Sequence, residues 1–182
     1  NMKNLIKEYE EIFLESPKYY IDTGGRFEII GNHTDHNHGL CIVANCSLRI
    51  KAVLDKDDEI VDIKSKGHDR FSFSLSSLSN YNDYENKTKA LVAGILIKLK
   101  ELGYKIGGFK AYIESDIPDG SGVSSSAAVE SLIGYIISYL YNNKSIPELV
   151  IAKVGQFSEN HYFKKPCGLL DQIGTSFSNC NY

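Results

Sequence analysis

Apolar residues recur at helical spacing near the start of the chain, at Leu5, Ile6, Tyr9, Ile12 and Phe13, and Pro17 lies just beyond. The spacing predicts an amphipathic helix from residue 2 to about 15, packed on the outside of the domain. From Leu48 the rhythm becomes alternation. Leu48, Ile50, Ala52 and Leu54 face one way, a polar turn spans Asp55 to Glu59, and Ile60 to Ile63 resumes the apolar run, which predicts a β-hairpin. Ser65 to Asn86 is rich in Ser, Asn and Asp, and only Phe71, Phe73 and Leu75 suggest a short strand there. Thr88 through Leu102 reads as a helix stopped by Gly103. A strand should follow with Phe109, Ala111 and Ile113 on one face and Lys110, Tyr112 and Glu114 on the other. A helix then begins among the serines after Gly122, with an apolar stripe of Val129, Leu132, Ile133, Ile136, Ile137 and Leu140. Ser145, Pro147 and Glu148 suggest a capping box that opens a last helix running to Tyr162.

Strands and helices mixed in this order predict one α+β domain, a mixed sheet packed with helices. No internal repeat or linker divides it. Asn1 before Met2 reads as a cloning remnant, so the domain is set at residues 2–182. A chain of 182 residues, 42% hydrophobic and 24% charged, can hold a core without disulfides or structural metal. The formal net charge is −3 and the lysines are scattered among acids, which argues against a nucleic-acid or anionic-membrane partner. Cys41, Cys46, Cys167 and Cys180 form no CxxC pair, so they read as reduced thiols of a cytoplasmic protein. The longest apolar stretch, Leu91 to Leu99, contains Gly94 and Lys98 and is too short to span a bilayer.

The strongest local chemical signal is the segment Pro118-Asp119-Gly120-Ser121-Gly122-Val123-Ser124-Ser125-Ser126, between a predicted strand and a long helix. Glycines let the backbone approach a ligand, and the free N–H groups at the helix start attract anions. Serine hydroxyls add donors to phosphate, or an oxygen ligand for Mg²⁺. The segment is neither a Walker A loop nor a dinucleotide fingerprint, and a plain helix-capping loop is its bland alternative.

Two further segments lie in order around it. Gly25-Arg26 followed by an apolar strand and Gly31-Asn32-His33-Thr34-Asp35 resembles the galactokinase signature, in which Gly-Arg leads to Gly-Glu-His-Thr-Asp. Cys167-Gly168-Leu169-Leu170-Asp171-Gln172 resembles that family's Cys-Gly-Ile-Met-Asp-Gln segment. With the serine-rich loop, the three span residues 25 to 172 and mark the chain as similar to galactokinase-type sugar kinases of the GHMP superfamily.

That resemblance implies a GHMP kinase N-terminal domain with the ribosomal protein S5 domain 2-like fold, and ATP and Mg²⁺ as cofactors. It implies that Gly120, Ser121, Gly122, Val123, Ser124, Ser125 and Ser126 hold the ATP phosphates, with Ser126 and Glu159 as metal ligands. It implies catalytic roles for Asp171 and Arg26, and sugar contacts from Asn32, His33, Thr34, Asp35 and Gly168. The implied reaction moves the γ-phosphoryl of ATP onto a monosaccharide hydroxyl, galactose before other sugars. A carboxylate beside a weak hydroxyl nucleophile can orient it and take its proton, while cations stabilise the phosphoryl charge. Read alone, Arg26 could form a structural ion pair, Asp171 a helix N-cap and Glu159 a surface acid.

Other readings compete. His33, Asp35, His36 and His38 could suggest a metallohydrolase, but their order, H-x-D-H-x-H, is not the usual H-x-H-x-D-H. A sugar or nucleotide sensor that reuses the fold is the non-enzymatic rival. The chain also departs from the family pattern: Asn32 replaces the signature's glutamate and His36 its tyrosine. Asn32 is expected to weaken selectivity for a 6-hydroxyl, because a neutral amide replaces a charged acceptor. The chain is further expected to be a fragment, with a C-terminal domain needed to close the sugar site.

Overall fold

A computed structural model describes residues 1–31, 49–116 and 125–162. Its elements run α1 (Met2–Phe13), β1 (Tyr19–Asp22), β2 (Phe27–Ile29), β3 (Ile50–Asp57), β4 (Ile60–Ser65) and β5 (Phe71–Ser74). A 3₁₀ segment (Leu75–Asp83), α2 (Lys87–Glu101), β6 (Gly108–Ser115), α3 (Ser125–Tyr141) and α4 (Glu148–Tyr162) follow. The strands form one six-stranded sheet in the order β2-β1-β3-β6-β4-β5.

Alternation along the strands sorts side chains between two cores. Ile21, Ala52, Leu54, Phe109, Ala111 and Ile113 join the buried residues of α2, α3 and α4 on one face. Tyr20, Val53 and Tyr112 point the other way and are covered by Leu5, Tyr9 and Phe13 of α1. The expected α+β architecture, the outer position of α1 and the two faces of β6 are all present. α1 ends two residues earlier than the spacing predicts, at a left-handed Leu14 whose N–H reaches Glu10 O at 3.0 Å. α2 starts one residue early, capped by Asn86, and closes with the paired bonds of a Schellman motif, Gly103 N to Lys100 O and Tyr104 N to Leu99 O.

Two expectations are corrected. β3 and β4 are not a hairpin. β6 lies between them, antiparallel to β3 and parallel to β4. The short connection survives without a ladder because the Asp57 side chain accepts the Glu59 and Ile60 amides, at 2.9 and 2.8 Å. The fully buried Phe109 and Ala111 of β6 fill the middle of the sheet. The Ser145/Glu148 capping box is also absent: the Ser145 N–H goes to Asn142 O at 2.9 Å, and Glu148 Oε1 accepts the Tyr135 hydroxyl at 3.3 Å. A reversal with positive φ at Asn143 and Lys144 delivers the chain to α4.

Candidate active site

The turn joining β1 to β2 carries Arg26. At its start stands Asp22, only 1% exposed. Asp22 Oδ1 accepts the backbone N–H of Gly24 at 2.8 Å and of Arg26 at 3.3 Å, the bonding of an Asx-type turn. The same oxygen faces Arg49 Nη1 at 3.5 Å, and Oδ2 accepts the Tyr20 hydroxyl at 2.8 Å. A Cβ at position 24 would displace the Arg49 guanidinium from Asp22, and Gly25 adopts φ +84°, a conformation that favours glycine.

The Arg26 guanidinium pairs with Glu28 and lies 5.8 Å from the Tyr20 ring centre. Register explains the grouping: Tyr20 is opposite Glu28 on the neighbouring strand, so both point to one face. Burial first, and then the bond to Asp22, push the Tyr20 phenol well above its ordinary range, so it stays protonated through the alkaline range in which a free tyrosine ionises. The turn is fastened on two sides. Tyr139 of α3 donates its hydroxyl to Gly25 O at 2.8 Å, and Arg49 O accepts the amide of Asp116, the residue leaving β6, at 2.9 Å. β6 and α3 therefore flank the glycine- and serine-rich segment, as the sequence predicts, and the Arg26 turn adjoins the point where β6 ends.

The other part is the seam between α3 and α4. A Cβ at Gly134 would strike Ile151, and one at Gly155 would lie 2.8 Å from Glu130 Cβ and Oε1, so the helices approach closely in an antiparallel register. These contacts are four residues apart on each helix. One further step of four places Glu159 across from Ser126, the two positions assigned to the metal. Glu159 is half-buried rather than a fully exposed acid. Glu130, one turn from Ser126, is only 6% exposed.

Ser126 and Glu159 thus share one end of a helix pair, whereas Arg26 stands on the sheet edge. Along α3, about 20 Å separates Ser126 from Tyr139, which holds the Arg26 turn. Asn32, His33, Thr34, Asp35, Gly120, Ser121, Gly122, Val123, Ser124, Gly168 and Asp171 lie outside the described residues. Sequence reading missed Asp22, although an acid before Gly-Gly is a turn signal. It also missed Arg49, Tyr139 and Glu28, whose roles depend on partners brought together by folding.

Comparison with known proteins decides the family. The model for the GHMP kinases N terminal domain matches residues 90–179, across the serine-rich loop, α3 and α4. The galactokinase galactose-binding signature matches residues 7–56, across the Arg26 turn. The chain belongs to the GHMP kinase family. A galactokinase from Lactococcus lactis subsp. cremoris is 33% identical over 180 residues, covering 95% of this chain and 44% of the relative. The crystal structure of Lactococcus lactis galactokinase complexed with galactose superposes with a TM-score of 0.65 at 25% identity, covering 94% of this chain and 45% of that one. The Methanococcus jannaschii mevalonate kinase shares the fold, with a TM-score of 0.52 at 22% identity over 65% of this chain and 38% of that one. This GHMP kinase chain spans a little under half the length of the relatives it matches. Among the described residues no helix is long and apolar enough to cross a membrane.

Proposed function

We propose that the full protein transfers the γ-phosphoryl of ATP to galactose, giving galactose 1-phosphate and ADP, and that residues 2–182 supply its GHMP kinase N-terminal domain. The match of the galactose-binding signature across the Arg26 turn carries this reading, because it ties a sugar class to a site the structure describes. In the reaction, the sugar oxygen forms a bond to the γ-phosphorus as the bond to the β-phosphate oxygen breaks. The hydroxyl proton passes to the Asp171 carboxylate. The family resemblance assigns Arg26, whose guanidinium is paired with Glu28 here, to the charge that develops on the phosphoryl group.

Gly120 through Ser126 hold the ATP phosphates. Asn32, His33, Thr34, Asp35 and Gly168 bind the sugar. The hydroxyl of Ser126 and the carboxylate of Glu159 make an oxygen donor set that fits Mg²⁺, and their opposed positions on α3 and α4 support that pairing. Bound there, the ion would neutralise phosphate charge during transfer. A C-terminal domain beyond this chain completes the sugar site in a cytoplasmic enzyme whose partners are sugar and ATP. The galactokinase relatives favour galactose over a pentose, 6-deoxy or uronic acid substrate and over a sensor role.

The test is Asp171→Asn in the full-length protein, assayed with ATP and a panel of sugars. Turnover should fall by about 100-fold or more while nucleotide binding persists. A variant within a few-fold of wild type would remove Asp171 from the mechanism. No turnover of any sugar by the wild type would favour the sensor. In the same panel, Asn32→Glu should raise galactose selectivity over the 6-deoxy sugar by about tenfold. An unchanged ranking would show that Asn32 does not set specificity.

A further inference from the structure

We propose that Asp22 is the positioning residue for Arg26, a role that rests on the catalytic assignment of Arg26 made above. One nearly inaccessible carboxylate gathers four donors: the Gly24 amide, the Arg26 amide, the Tyr20 hydroxyl and the Arg49 guanidinium. Two of these lead to Arg26. The amide bond fixes where the Arg26 backbone leaves the turn. The Tyr20 bond fixes the ring beside which the guanidinium lies. Glu28 balances the guanidinium charge. Arg49 offsets the charge of the buried Asp22 and, through its own carbonyl, ties the turn to Asp116 where β6 ends. Asp22 thus acts on chemistry through Arg26, because misplacing a charged group by about 1 Å can cost on the order of 100-fold in rate.

Asparagine and alanine separate positioning from charge pairing. Asp22→Asn keeps an oxygen that can accept the Gly24 and Arg26 amides but deletes the charge facing Arg49, and it puts an amide donor where Oδ2 accepts the Tyr20 hydroxyl, which can turn to accept from it. Asp22→Ala deletes both the oxygen and the charge. With full-length protein, ATP and galactose, Asp22→Ala should lower kcat by about 10- to 100-fold with KM values within about threefold, and Asp22→Asn should restore kcat to within about fivefold of wild type. Equal kcat losses in the two variants would mean that the carboxylate charge, and not the oxygen that accepts the turn amides, is what counts, and would overturn the proposal.

The double variant Asp22→Ala/Arg26→Ala should be no slower than Arg26→Ala alone, since the two residues act as one unit. Additive losses would overturn it too. Arg26→Ala within about threefold of wild type would refute the catalytic role of Arg26, and the proposal with it. A crippled Arg26→Ala beside a normal Asp22→Ala would refute the proposal alone. If alanine at position 22 prevents folding, hydrogen exchange of the Gly24 and Arg26 amides decides. Protection should stay within about fivefold of wild type in both Asp22→Asn and Arg49→Met. A greater loss in Arg49→Met would show that the arginine, not the carboxylate oxygen, holds the turn.

Discussion

The Arg26 turn and the α3–α4 seam place residues with the same precision by opposite means. The turn depends on directed bonds that converge on one carboxylate, Asp22. The seam depends on closeness: two glycines let Ile151 and Glu130 lie against the facing helix, and the register then carries Ser126 and Glu159 to one end. Geometry that hangs on a single atom group can be lost without much loss of fold. Geometry set by packing can be lost only by moving a helix. In the proposed reaction the first region would present a cation to the phosphoryl group in transfer, and the second a rigid cradle to the phosphates that stay.

The seam should therefore show the largest effect on stability. Gly134→Ala puts a methyl into Ile151, and overpacking of this kind costs about 1–3 kcal/mol against a helix-propensity gain of about 1 kcal/mol. A fall of several degrees in Tm is expected, and trimming the neighbour with Ile151→Ala should make the pair of changes less than additive. An unchanged Tm would show that the steric cost at Gly134 does not exceed the helix-propensity gain. Gly155→Ala should cost less, about 1 kcal/mol, because a glutamate side chain is one of the atoms in the way. Yet it lies one turn from Glu159, so its effect on binding should exceed that of Gly134→Ala. Calorimetry on the full-length protein should show Mg-nucleotide affinity reduced by about three- to tenfold in Gly155→Ala, and the reverse ranking would separate the register from the proposed metal ligands.

At the turn, Tyr139→Phe removes one hydroxyl bond to Gly25 O, worth about 1 kcal/mol. Exchange of the residue 24–26 amides should rise while the seam is untouched. A uniform rise across α3 would mean that Tyr139 supports the helix rather than the turn.

The smallest effect is electrostatic and lies away from both regions. Burial alone would raise the Asp57 carboxyl, but the Glu59 and Ile60 amides together with Lys110 outweigh it and hold the group below its ordinary value. Its stabilising charge is thus present above about pH 4, where the unfolded carboxyl is ionised, and is lost as pH falls through the lower folded value. Asp57→Asn keeps the amide acceptor, so the gap to wild type should be no more than about 0.5 kcal/mol at neutral pH. Denaturant titration should find the gap closing in acid. A gap that widened there would reverse the sign of the argument.

Much of this was legible in the residues. Leu5, Tyr9 and Phe13 recur at helical spacing and bury as one stripe, and Phe109, Ala111 and Ile113 alternate with Lys110, Tyr112 and Glu114 as the two faces of β6. Those patterns are local, and burial rewards them wherever the partner surface comes from. The family was readable too, because the Gly-Arg and serine-rich motifs fall within the two matched segments. What only the tertiary structure decided were relations between distant segments. The tight acid turn after β3 says hairpin, yet β6, fifty residues later, takes the place between β3 and β4, with its Phe109 and Ala111 fully buried in the middle of the sheet. Asp22 reads as a turn residue, and only Arg49 and Tyr20 turn it into a buried hub. Ser126 and Glu159 come to one end of the helix pair only when Gly134 and Gly155 let two helices meet in one register, since the energy of that approach belongs to neither helix alone.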